Sequence, residues 1–222
     1  MKIKKRPGDS GISYRLRFPE DELRESWLPM LLDAYAIIDR GINLAIKREE
    51  KRRNVTLACK KGCDYCCHTH QDIPLYPLEM VGIYWFVIEK IMPPEREILK
   101  VQLLNYEKGA PCPFLIKGTC AIHFLRPVSC RQFNVFNRPC GKGEDPYYTR
   151  REDVLTPLQE YTDQAFFTML PFYGINSRED RLKAIRENII HLQVCNLKSC
   201  DWKSLGRRID DSDKGAVHVT KR

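Results

Sequence analysis

Four of the chain's ten cysteines fall within nine residues, as Cys59, Cys63, Cys66 and Cys67. Cys112, Cys120, Cys130 and Cys140 follow at wider intervals, and Cys195 and Cys200 come last. Thiolates are the soft ligands of zinc, copper(I) and iron–sulfur clusters. A thiol cluster this dense, in a chain that shows no secretion signal, points to metal ligation or catalysis and not to a disulfide framework. The Cys-x3-Cys-x2-Cys turn places three sulfurs on a concave loop, with Gly62 supplying backbone freedom for a tight turn. That arrangement suits a cubane iron–sulfur cluster, whose potential amide hydrogen bonds would tune. It also suits four-thiolate zinc. Cys66 and Cys67 are neighbours whose side chains are expected to diverge, toward different centres or around a polynuclear one.

The second group is spaced at eight, ten and ten residues. Zinc fingers and ribbons pair ligands with two to four residues between them, so ordinary zinc modules fit poorly. The two groups together supply eight candidate ligands, enough for one fully ligated cluster and a second site. Cys195 and Cys200 stand open between extra ligands and bystanders. Three histidines lie close to the thiols. In an extended segment His68 and His70 would share one side, and His123 sits between Cys120 and Cys130. For each, a ligand role stands against that of a supporting donor or surface residue. Arg126 and Arg131 flank Cys130 and would lower its thiol pKa, unless they pair with ordinary carboxylates.

The elements that must position these residues read as mainly α-helical. The 222 residues are 43% hydrophobic and 30% charged, a globular composition with length for a real core. Alternation over Ile12–Phe18 predicts a strand. Pro19 and three acids open a helix over about 20–52, with Pro29 and Gly41 as candidate bends. Ile73–Tyr76 is a short extended piece. Leu78 opens an apolar helix to about Ile91, stopped by Pro93-Pro94. Further helices are expected over 95–107, 152–170 and 178–194, with a cysteine-bearing loop over 111–143 that metal ligation would hold together. The expected organisation is a basic leader over 1–10, one helical domain over 11–205 with few short strands, and a frayed polar tail over 206–222.

Composition narrows function less sharply. Lysine and arginine number 37 against 29 acids, a formal charge of +8, which permits nucleic-acid contact. The basic residues are dispersed, however, and no recognition helix or aromatic-interleaved basic strand stands out, so nucleic-acid binding is not expected. No apolar run reaches the length of a membrane span, and a cytoplasmic protein is expected.

Two resemblances bear on these residues. Cys59-x3-Cys63-x-Tyr65-Cys66 is similar to the radical SAM motif, in which three cysteines bind a [4Fe-4S] cluster. That fold needs alternating strands and helices downstream, which this pattern does not offer. A longer set of elements resembles the CxxCxxCC family of YkgJ-like cysteine-cluster proteins, described as zinc- or iron-chelating domains. The set comprises the four-cysteine knuckle, Ile73 with Leu78-Glu79, Cys112-Pro-Phe-Leu, Gly118-x-Cys120-x-Ile122 and Arg126-Pro-x-x-Cys130-Arg-x-Phe133. It covers about residues 57–140. His123 departs from the family's usual Tyr, and Cys140 and the 195/200 pair lie outside the alignable elements.

The resemblance implies a metal site built from these cysteines. A related arrangement in flagellin lysine N-methylases, linked to an iron–sulfur cluster, implies protein methylation as an analogy. The reading is therefore a metal-binding protein in which Cys59, Cys63, Cys66, Cys67, Cys112, Cys120, Cys130 and Cys140 hold a [4Fe-4S] cluster, with zinc as alternative. Its expected role is electron transfer, metal handling or service to a modifying enzyme through a protein partner. The rivals are a cluster-dependent enzyme and a metal that only staples loops.

Overall fold

The computed structural model describes residues 15–219, with side chains as far as residue 212. Helices dominate, joined by long loops and two small antiparallel pairs of strands. The first helical stretch is two helices, α1 (Pro19–Arg24) and α2 (Leu28–Arg53), and not one. Pro29 explains the break. Its ring would strike the carbonyl four residues back in a continuous helix, whereas in a helix's first turn it is tolerated. Gly41 causes no interruption in α2; instead it marks a helix crossing, since a Cβ there would lie 2.5 Å from Tyr161 Cβ.

The expected strand over Ile12–Phe18 falls partly outside the described residues, as does the leader. Residues 15–18 are irregular. Arg15 pairs there with Glu22 and Asp33, and the Phe18 ring meets Trp85 edge-on at 5.0 Å.

After α2 the chain turns through Asn54 in the left-handed region and reaches a short helix, α3 (Tyr65–Thr69), which carries Cys66 and Cys67. Strand β1 (Pro74–Leu75) leads into the apolar helix α4 (Pro77–Glu89). Helix α5 (Glu95–Leu104) opens on two glutamates, suited to the positive end of its dipole. Strands β2 (Leu115–Ile116) and β3 (Thr119–Cys120) form a hairpin whose two-residue turn has positive φ at both Lys117 and Gly118. A turn of that hand matches the strand twist. Then follow α6 (Val128–Gln132), bearing Cys130, and α7 (Pro146–Thr149).

Helix α8 (Gln159–Met169) starts later than the 152 expected, because Pro157 lies in the predicted span. Helix α9 (Arg178–Arg186) stops before the left-handed Asn188, and residues 189–193 tighten into a 3-10 turn. Strand β4 (Cys195–Asn196) pairs with β1. The expected polar tail is largely helical: α10 (Trp202–Val219) buries Trp202, Leu205 and Ile209, spaced to face one side.

One core unites these helices. Helices α2 and α8 cross at Gly41, α10 lies along α5, and Trp202 packs edge-on against Phe114 at 4.7 Å. Among the described residues no helix is long and apolar enough to cross a membrane.

Candidate metal centre

Two backbone seams bring distant cysteine segments together. Residues 56–58 run antiparallel to 135–137, with Ala58 N donating to Val135 O at 2.8 Å and Asn137 N to Thr56 O at 2.8 Å. This places Cys59, whose Sγ accepts from Val135 N at 3.3 Å, beside the loop that holds Cys140. At the second seam Cys112 N donates to Cys67 O at 2.7 Å, docking α3 onto the loop ahead of the β2–β3 hairpin.

The eight thiols regroup in space. Cys66 donates to Cys67 and Cys67 to Cys112, with Cys120 and Cys130 within electrostatic reach of them. Cys59, Cys63 and Cys140 sense one another on the other side, and Cys59 also senses Cys66. The expectation that Cys66 and Cys67 diverge is therefore corrected: residues roughly 100° apart on a helical turn can still bring short side chains together. Cys195 and Cys200 stand apart. Their sulfurs are 3.2 Å from each other, and the Cys200 thiol senses only its partner.

Burial and neighbouring thiols raise the pKa values of Cys59, Cys66, Cys67, Cys120, Cys130 and Cys140. The hydrogen bond to Cys67 pushes Cys66 far up, with burial adding to it. Donation to Cys112 pushes Cys67 up to about 12. Burial raises Cys130 strongly, with Cys66 and Cys120 next, and raises Cys59 and Cys120. Cys140 rises to about 11, from burial and then Cys59. The expected lowering of Cys130 by its flanking arginines is thus outweighed. Arg126 does pull in that direction, but Arg131 spends its charge on Asp39, at 2.8 and 3.0 Å, and stacks over Tyr35 at 4.0 Å.

Several positioning groups carry no sequence motif. Glu79 is fully buried at the start of α4; it accepts from Val128 N at 2.7 Å and Tyr76 N at 3.1 Å, tying α4 to the N-terminus of α6 just ahead of Cys130. Burial lifts its carboxyl to about 7. A carboxylate at the head of an otherwise apolar helix was the available signal. Around Cys140, buried Arg150 bonds Glu144 and Asp153 and the carbonyls of Phe136 and Arg138. Glu144 accepts from Gly141 N, which with Arg150 holds its carboxyl near 2.

Lys198 lies between Cys195 and Cys200 in the sequence. It is 3% exposed, and its Nζ has no hydrogen-bond partner among the described residues. Burial lowers its pKa, while Cys112, Cys67 and Cys66 oppose that shift. Arg126 Nε is likewise buried and unpartnered.

The histidines turn elsewhere. His68 lies in α3 and meets Asp64 at 3.2 Å, and His70 meets Asp145 at 3.2 Å with its ring against Phe133. The helical turn replaces the extended segment that would have aligned them. His123 is an exposed residue near Arg126 and Arg131, and partial desolvation and those cations lower its pKa.

The CxxCxxCC family, described as a "putative zinc- or iron-chelating domain", matches residues 58–156. This segment is similar to that family's domain. The match includes the eight candidate cysteines, Cys140 among them, and ends before α8. No curated protein matches the chain, and no solved structure does.

The donor chemistry of this segment fits a thiolate-bound metal. Among the described residues no group of three or more His, Cys, Asp or Glu side chains is already closed around one ion position. Buried Lys198 and the partly buried Arg126 bear on the electrostatics of the site. An ammonium without an acceptor is costly beside neutral thiols and is matched once those thiols become thiolates.

Proposed function

We propose that this protein binds iron as an iron–sulfur cluster through Cys59, Cys63, Cys66, Cys67, Cys112, Cys120, Cys130 and Cys140. Its role would be electron transfer or metal handling with a protein partner. The observation that carries the reading is the buried, unpartnered Lys198 ammonium facing the Cys66, Cys67 and Cys112 thiols. Two seams of hydrogen bonds support it by drawing the Cys59 and Cys67 segments toward those of Cys140 and Cys112, and eight candidate thiols are more than one tetrahedral zinc takes up. Soft thiolate donors favour iron–sulfur or zinc over harder ions. The bound cluster would supply a one-electron couple. The chain's own groups would set its potential, Lys198 and Arg126 by charge and Val135 N by its bond to the Cys59 sulfur.

The test is anaerobic purification followed by an absorption spectrum and iron, zinc and sulfide analysis. The reading predicts a coloured protein with iron and sulfide in matching amounts. A colourless protein with stoichiometric zinc would replace the cluster by a zinc centre, and a metal-free protein would end the metal reading altogether.

One observation favours a second reading. An open groove of about 730 Å³, lined by His68, Gln102, Tyr106, Pro113 and Lys117, has Cys112 in its wall. A cluster-dependent enzyme needs such a space beside its cofactor. Saturable binding of S-adenosylmethionine by the metal-loaded protein would support that reading, and its absence would remove the SAM-using form.

A further inference from the structure

Cys195 and Cys200 form a second thiol site outside the eight-cysteine centre. The family model ends at residue 156, and the thiol that acts on Cys200 is Cys195. Their sulfurs are 3.2 Å apart. Both ends are held by backbone. Cys195 lies in β4 opposite Leu75, and its Sγ donates to Leu75 O at 3.4 Å. Cys200 Sγ donates to Asn196 O at 3.2 Å, and the carbonyl of Cys200 accepts from Trp202 N at 2.9 Å at the head of α10. Asn196 Oδ1 accepts from Lys198 N at 2.9 Å and curls the segment between them into a 3-10 turn, Leu197–Ser199. A disulfide bond is ~2.05 Å long, so the sulfurs need close only about 1.2 Å.

We propose that Cys195 and Cys200 are a redox site that forms a reversible intramolecular disulfide by exchange with a low-molecular-weight disulfide of the glutathione class. The thiolate of one cysteine attacks a sulfur of the small disulfide, breaks its S–S bond and expels one small thiolate, which takes up a proton. The second cysteine, as thiolate, then attacks the mixed disulfide at the protein sulfur and expels the second small thiolate. Two electrons pass from the protein pair to the small disulfide, and two small thiols are released.

The bond would close the turn that carries Lys198, whose ammonium faces Cys66, Cys67 and Cys112. The pair thus lies where oxidation would stiffen the strap that supplies this charge. The chemistry of the pair does not depend on which metal the centre holds.

The test uses the full-length protein as purified, equilibrated in mixtures of reduced and oxidised glutathione, quenched with acid and alkylated. Cleavage after Arg186, Lys198 and Lys203 separates the two cysteines, so the disulfide appears as peptides 187–198 and 199–203 held together. The expected result is that this linked species grows as the mixture becomes more oxidising, while metal content stays constant. Cys195→Ser and Cys200→Ser would each abolish it. Two outcomes would overturn the proposal. One is alkylation of both cysteines in every mixture with no linked species. The other is resistance to alkylation that disappears when a chelator removes metal, which would make the pair ligands. A protein that contains no metal but still forms the linked species would overturn the metal reading and leave this one standing.

Discussion

At the scale of single residues, the clearest feature is a lysine whose neighbours suit it only when they are charged. Lys198 is buried without a partner beside Cys66 and Cys67, whose thiol pKa values are raised. Lys198→Met should therefore act with opposite signs in the two states. It should raise the urea midpoint of the metal-free protein, because an unpaired ammonium no longer has to be buried, and weaken metal retention about tenfold or more. Competition with a chelator measures the second effect; unchanged retention would deny Lys198 its role. Glu79 gives a pH test. Its folded pKa of about 7 lies above the ordinary 4.5, so the stability it contributes is full below about pH 4.5 and is lost as pH rises through about 7. The difference in stability between the native chain and Glu79→Gln should therefore change between pH 5 and pH 8, in favour of the native residue at the lower pH. A pH-independent difference would contradict the assigned shift. The sequence marks Glu79 only as a carboxylate heading an apolar helix and does not mark Lys198, because each acts through partners far along the chain, Glu79 through Val128 and Lys198 through Cys66, Cys67 and Cys112.

At the scale of elements, helix positions were largely legible and their ends less so. The apolar run of α4 and the periodic apolar face of α2 were readable, since local pattern determines them. The break before Leu28 and the late start of α8 follow from Pro29 and Pro157, whose position within a helical pattern decides between a bend, a first turn and a stop. Gly41 looked like a bend and is a crossing point. Gly41→Val should push α2 off Tyr161 and cost about 1–3 kcal/mol by overpacking. Thermal unfolding would report it, and an unchanged midpoint would show that the helices can separate without loss. Glu79→Ala should cost about 1–3 kcal/mol by leaving the buried Val128 and Tyr76 N–H groups unpaired. Grouping of the cysteines was the least legible feature. Spacing joins Cys59 and Cys63 to Cys66 and Cys67, whereas the seam between residues 56–58 and 135–137 joins them to Cys140. Contacts of that separation leave no local trace.

At the scale of the whole molecule, the formal charge of +8 counts every thiol as neutral. Loading the centre converts cysteines to thiolates, so metal uptake near neutral pH should release protons, measurable in weakly buffered solution. The metal-free chain should also lose stability with rising pH. Its thiol pKa values, such as about 11 for Cys140 and about 12 for Cys67, lie above the ordinary 9, so the unfolded chain loses protons first. Their stabilising contribution is complete below about pH 9 and declines as pH climbs toward those values. Metal-loaded protein should not show this decline, and identical pH profiles for the two forms would argue against thiolate ligation. The most direct measurement is X-ray absorption at the edge of the metal found in the full-length protein. Thiolate ligation by the eight cysteines predicts a first coordination shell made of sulfur, with a short metal–metal distance if the metal is iron in a cluster. A first shell dominated by nitrogen or oxygen would contradict the account.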